Sequence, residues 1–211
     1  MKVNDTGSVT GRRTQAERRA ATRALLLGAA RTLFADKGFA NVSTQAIVDA
    51  AGVTRGALYH QFEDKTALFA AVYEEVERDV VGEVAQRIAE VAPPDALTAM
   101  RLGAQVFLDV CARPDVQQIV LLDAPAVLGW EAWRAVGERY GLGVIEAMLT
   151  QAVAEGGVAG LALRPTAHVL LGALDEAALY VSRAQDKVQA RADMDAVCAR
   201  LIDGIAGRPA G

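Results

Sequence analysis

Residues 43–69, STQAIVDAAGVTRGALYHQFEDKTALF, constrain the chain more than any other stretch, because they read as two short helices around a very tight turn. The first helix is expected over Thr44–Ala51, with Ile47, Ala50 and Ala51 as its apolar side. Gly52 suits the positive φ of a sharp turn. Thr54 suits the start of the next helix, where its hydroxyl can accept from an orphan amide. The second helix, over Arg55–Phe62, turns Leu58 and Phe62 inward at an i, i+4 spacing. Helices joined this way cross steeply, which leaves the second free to enter a major groove.

The side chains that second helix would present suit DNA. Arg55 can take guanine O6 and N7 with its forked donors, and Tyr59 and His60 offer phosphate or base contacts. Gly56 allows close backbone approach, and Lys65, opening the next helix, can neutralise a phosphate. The run GVTRGALYHQFEDKTALF resembles the DNA-reading end of the TetR family of one-component regulators, whose pattern is Gly-Val-Ser/Thr, Leu-Tyr-x-x-Phe and Lys-x-x-Leu. Together with LFADKGF at 33–39, the resemblance covers roughly residues 14–69. It implies phosphate contacts for Thr44, Tyr59 and Lys65, and base-facing places for Gln45, Arg55, Gly56 and His60. Gln61 departs from the pattern, since many relatives carry a His that touches phosphate there; its amide still offers a donor.

A net charge of −4 argues at first against a nucleic-acid partner. Its distribution reverses that impression. Residues 1–65 hold ten Lys and Arg against six Asp and Glu, a net of +4; residues 66–211 hold twelve against twenty, a net of −8. A basic head on an acidic body is the footprint of a protein that meets DNA with one end.

Other chemistries find little to stand on. The two histidines, His60 and His168, have no accompanying nucleophile motif, and neither GxSxG nor HExxH occurs. Two Cys and two His at unrelated spacing make no zinc pattern, and nothing calls for a cofactor. Gly156-Gly157-Val158-Ala159-Gly160 lacks the Lys-Ser/Thr of a phosphate loop. An enzyme is therefore not expected. Two unclustered cysteines and the polar Met1–Gln15 start suggest a cytoplasmic protein, and no apolar run approaches the ~18 residues of a membrane span.

The absence of strand patterning and the abundance of alanine predict an all-α chain of about nine helices. Residues 1–13 read as a flexible arm whose Arg12 and Arg13 could enter a minor groove. Residues 14–64 read as the DNA-binding head, beginning with a helix over 14–37 that Gly38 ends. Residues 65–211 read as a ligand-binding and dimerisation body. A rod over 65–91 links the two, stopped by Pro93-Pro94. Further helices are expected over 96–112, 115–122, 130–155, 166–183 and 191–205, with a turn at DAPAVLGW.

Within the body, Phe107, Cys111, Leu121, Trp130, Trp133 and Tyr140 suggest the walls of an aromatic chamber, with His168 or Asp175 as polar anchor. Such a lining points to a hydrophobic small molecule. The last two helices carry small residues Gly172, Ala173 and Ala177 beside Leu170, Leu174, Val181, Val197, Leu201 and Ile205, which suits a four-helix homodimer interface. The resulting expectation is a dimeric regulator, most readily a repressor, released from a palindromic double-stranded operator by that molecule. The alternative is a DNA-binding protein whose bundle recruits a protein partner.

Overall fold

The computed structural model describes residues 14–206; the expected arm with Arg12 and Arg13 lies outside the described residues. Nine helices form the described chain, with no strand among those residues. The head comprises α1 (Gln15–Lys37), α2 (Thr44–Ala51) and α3 (Arg55–Gln61). α4 (Lys65–Val91) and α5 (Ala96–Cys111) follow. α6 runs over 114–128 through a π-helical turn at Gln117–Asp123, and α7 over 130–154 through a second one at Glu138–Leu142. α8 (Leu163–Arg183) and α9 (Lys187–Ile205) complete the body.

Local chemistry explains most of the boundaries. Thr14 and Glu17 form a reciprocal capping box on α1, and Gly38, at φ 73°, ends it by donating its N–H to Phe34 O. Ser43, Thr54 and Asp64 each cap the helix that follows. Three boundaries differ from expectation. DAPAVLGW is helical through Leu128: Pro125 falls in the turn after the π-helical segment, where its missing N–H breaks no regular α ladder. α8 begins at Leu163, with Pro165 in its first turn, where no N–H is needed. α9 begins at Lys187 because Asp186 caps it, accepting from Gln189 N at 3.0 Å.

One continuous cluster of buried side chains runs from α1 to α9. In the head, Leu26, Ala30 and Phe34 of α1 meet Ile47, Val48, Leu58 and Phe62; Val48 takes the inward place expected for Ala50, which is exposed. The rings of Phe34 and Phe39 meet Phe69 of α4 edge-on, at 5.2 and 5.1 Å between centroids. The face of α4 that buries Phe69 continues through Val72, Tyr73, Val76 and Val80 into the body. The rod therefore shares its buried face between head and body. In the body α5 lies between α4 and α9, and α8 packs against α7 and α9.

Candidate nucleic-acid interface and interior cavity

The turn between α2 and α3 is built as its residues require. Gly52 sits at φ 65°, ψ 31°, in the left-handed region open to glycine, and Val53 N–H returns to Val48 O. The Thr54 hydroxyl accepts from Ala57 N–H at 3.2 Å. These contacts, with Leu58 and Phe62 fully turned inward, fix the outer face of α3. Arg55, Gly56, Tyr59 and His60 recur at i, i+1, i+4, i+5 and are all exposed. Gln45 is exposed beside them on α2, its amide donating to Asp49 Oδ1 at 2.8 Å, and Thr44 is half-buried. A Cβ added to Gly56 would meet nothing closer than Thr54 Oγ1 at 3.9 Å, so another molecule can approach the backbone closely there.

Arg55 leans over the Tyr59 ring, 5.6 Å from its centroid, with a guanidinium nitrogen 3.4 Å from the hydroxyl. That bond, and one from Thr44, hold the Tyr59 phenol below its ordinary pKa. Two of the expected phosphate ligands have other work. The Gln61 amide donates to Arg19 O at 3.0 Å, tying α3 to α1. The Lys65 ammonium donates to Phe39 O and Val42 O, both at 2.9 Å, and sits 4.0 Å over the Phe39 ring. An ammonium has three N–H donors, so one remains for a phosphate.

The body holds an apolar cavity of about 90 Å³, several times the ~10–15 Å³ a single water needs. Phe107 and Ala104 of α5, Gly137, Gly141 and Met148 of α7, Leu170 and Leu174 of α8, and Ile202 of α9 wall it. Its charged groups are two carboxyls, Glu77 of α4 and Asp175 of α8, and Cys198 of α9 adds a thiol. Of the residues expected to wall a chamber, Phe107 and Asp175 line this cavity, and Cys111, Leu121, Trp130, Trp133, Tyr140 and His168 lie elsewhere.

Each displacement has a cause. Trp130 is 61% exposed and packs at a tilt on Trp133, 4.8 Å between ring centroids, while Trp133 faces inward. Trp133 is core: its indole donates to Val120 O at 2.9 Å, pinning α7 to the π-helical turn of α6. Tyr140, seven residues on, would share that face in a regular helix. The π-helical turn at Glu138–Leu142 rotates it outward, where its hydroxyl donates to Glu74 Oε1 at 2.8 Å. Leu121 is buried in the core, and Cys111 borders a separate cleft with Gln117 and Val181. His168 is partly exposed, 3.5 Å from Glu138 Oε1, outside the chamber.

Glu77 escaped the sequence reading altogether. It is the only charged residue buried among those described. The signal was present: Glu77 follows Tyr73 by four residues on the apolar stripe of α4, a place where a carboxylate is costly. Tyr73 Oη lies 3.0 Å from Glu77 Oε1 and 2.9 Å from Trp133 O. Burial pushes the Glu77 carboxyl up to about 7, and the nearby Asp175 charge adds to it. Asp175 is itself raised to about 6 by burial, against the opposing pull of the Arg134 guanidinium 2.5 Å away.

Comparison with known proteins decides what this assembly is. Residues 26–72 match the family model described as bacterial regulatory proteins, tetR family, and residues 97–205 match the tetracyclin repressor-like C-terminal domain. A crystal structure of a TetR-family transcriptional regulator from Pectobacterium atrosepticum superposes with a TM-score of 0.80 at 31% identity, covering 93% of this chain and all of that one. The chain belongs to the TetR family. It is accordingly a DNA-binding transcriptional regulator and not an enzyme.

The TetR head match includes every residue of the α2–α3 face, and the C-terminal match includes the cavity residues of α5, α7, α8 and α9. Among curated relatives, the regulator CymR of Pseudomonas putida is 34% identical over 119 residues, 56% of this chain and 59% of CymR. AcrR of Shigella flexneri is 39% identical over 80 residues, 38% of this chain and 37% of AcrR. The chain thus aligns with only part of the length of these two relatives. RolR, crystallised with resorcinol, shares the fold at a TM-score of 0.69 and 23% identity, over 92% of this chain and 97% of RolR.

Proposed function

We propose that this TetR-family regulator is a homodimeric repressor that grips a palindromic operator with the α2–α3 faces of its two copies and leaves it when an apolar small molecule fills the body cavity. The observation that carries this reading is that the cavity and the head share structural members. α4 lines the cavity with Glu77, Val81 and Val84, and its first residue, Lys65, holds the carbonyls of the turn before α2. α6, pinned to α7 through Trp133, reaches the same turn: Asp123 accepts the Phe39 N–H at 2.7 Å. A ligand that favours one spacing of α4, α6 and α7 thereby favours one placement of the head. Release follows when that placement is incompatible with two heads on one duplex.

One head covers one half-site, so a palindrome calls for two copies. α8 and α9 supply the surface for pairing. Val169 is 70% exposed, and Ala173, Glu176 and Tyr180 follow it along one stripe of α8. Val197 and Leu201 of α9 are also exposed, whereas Leu170, Ala177 and Val181 are buried within their own protomer. Gly172, Ala173, Leu174 and Ile205 are partly open and complete the candidate interface. Among the described residues no helix is long and apolar enough to cross a membrane, and Cys111 and Cys198 are free thiols. A protein working on DNA in a cytoplasm fits both features.

Selection of bound sequences from a random duplex library tests the reading. A two-fold palindrome should be enriched; enrichment of no common sequence would overturn it.

A further inference from the structure

The chemistry of the cavity says more about its ligand than that it is apolar. The cavity is lined by Glu77 and Asp175 and, among the described residues, by no Lys, Arg or His side chain. Glu77 is 8% exposed; its Oε1 meets Tyr73, and Oε2 makes no hydrogen bond among the described residues. Asp175 Oδ2 takes Arg134, while Oδ1 makes none. Arg134 is shared with Glu138, 3.4 Å away, so one guanidinium faces two carboxylates besides the unpaired Glu77.

Counting protons sharpens the point. Tyr73 has one hydroxyl proton and two neighbours, Glu77 Oε1 and the carbonyl of Trp133. Both can accept from it, so the one Tyr73 proton is shared between Glu77 Oε1 and Trp133 O. Once ionised, the two carboxyls offer Glu77 Oε2 and Asp175 Oδ1, neither hydrogen-bonded among the described residues, as acceptors for a donor. A neutral hydrocarbon or a carboxylate would leave them unpaired, at the cost of desolvated polar groups.

We propose that the cavity takes an apolar molecule bearing a protonated amine, whose ammonium is held between Glu77 and Asp175. This rests on the ligand-released reading above and names the class of ligand. The ammonium supplies the missing donors and a counter-charge, and Glu77 gives up its proton as the cation enters. Below about pH 7, where Glu77 is still protonated, binding is therefore coupled to proton release. The groups around Glu77 are Tyr73 of α4, whose hydroxyl also meets the Trp133 carbonyl, Cys111 of α5, and Asp175 of α8 with its partner Arg134 of α7. Cys198 of α9, its thiol pushed up by burial, lines the same cavity. The thiol of Cys111 is pushed up by burial, which keeps it neutral, so the carboxyls set the pH response.

The test uses three molecules on the full-length protein, 4-phenylbutylammonium, pentylbenzene and 5-phenylvalerate, with affinities measured by calorimetry. The ammonium should bind about tenfold or more tighter than either of the others near pH 8, and should weaken as the pH falls toward about 6. Glu77→Gln should remove most of that preference while leaving pentylbenzene affinity within about threefold, a control that a merely structural role would not pass. Asp175→Asn gives the same readout should the first variant fold poorly. An ammonium no tighter than pentylbenzene, with or without measurable binding of either, overturns the proposal, as does a Glu77→Gln variant that weakens both alike. Displacement of operator DNA separates the two layers. Release by pentylbenzene or the carboxylate alone sinks the amine and keeps the ligand-released repressor; tight ammonium binding without release does the reverse.

Discussion

Replacing Glu77 with Gln should make the free protein more stable at alkaline pH, and the structure sets the size of the effect. Burial lifts the Glu77 carboxyl from 4.5 to about 7. An acid whose folded value is raised is held protonated by the native state, so folding takes up a proton between those two values. Stability from this group therefore falls as the pH rises from about 4.5 through about 7, and the full penalty applies above that. At ~1.4 kcal/mol per pH unit it reaches about 3 kcal/mol. Gln carries no charge to desolvate, and its amide can either accept from the Tyr73 hydroxyl or donate to it, leaving the Tyr73 bond to Trp133 O intact. Asp175 contributes a slope of the same sign in both proteins and largely cancels in the difference. Urea unfolding of the two proteins across the pH range measures it. The curves should coincide near about pH 4 and separate to about 3 kcal/mol near pH 8, with Glu77→Gln the more stable. Parallel curves, or a variant less stable at pH 8, would refute the placement of an ionisable, desolvated carboxyl at the cavity.

Arg55→Ala should cost about 1–3 kcal/mol on the selected operator and much less on random duplex, as read by titration at several salt concentrations; equal losses would make Arg55 a phosphate ligand. Lys65→Met keeps the stem over Phe39 but loses two charge-assisted bonds to Phe39 O and Val42 O, so it should destabilise the protein by about 2–4 kcal/mol in chemical denaturation. Unchanged stability would return Lys65 to a purely phosphate-binding role. Gly137 lines the cavity, and a Cβ there meets nothing within 4 Å. Gly137→Leu should accordingly fill the chamber, raise stability by about 1 kcal/mol and abolish release by 4-phenylbutylammonium without weakening operator binding. Release that survives the substitution moves the ligand elsewhere.

The head was legible because its signals are local. A positive-φ glycine at 52, a capping threonine at 54 and Leu58 and Phe62 at helical spacing each determine their own neighbourhood, and the observed α2 and α3 follow them. Lys65 and Gln61 were read only for charge and donors, since the carbonyls they satisfy, Phe39, Val42 and Arg19, are distant in sequence. The cavity was harder for a different reason. Its wall assignments assumed an unbroken α period from Trp130 to Tyr140, and the π-helical turn at Glu138–Leu142 breaks that period. No composition rule marks such a turn. Glu77 was legible in principle, as a lone acid on the buried stripe of α4, whereas the anchors expected from the sequence lie on the penultimate helix.

The central claim is that the α2–α3 faces of two copies read one operator together. Sedimentation of the protein with the selected duplex, and with the same duplex cut to one half-site, tests it most directly. The account predicts two copies on the full palindrome and binding to the isolated half-site weaker by about a hundredfold or more, since the second head's contribution is then lost. A single copy bound as tightly to the half-site as to the whole would contradict it.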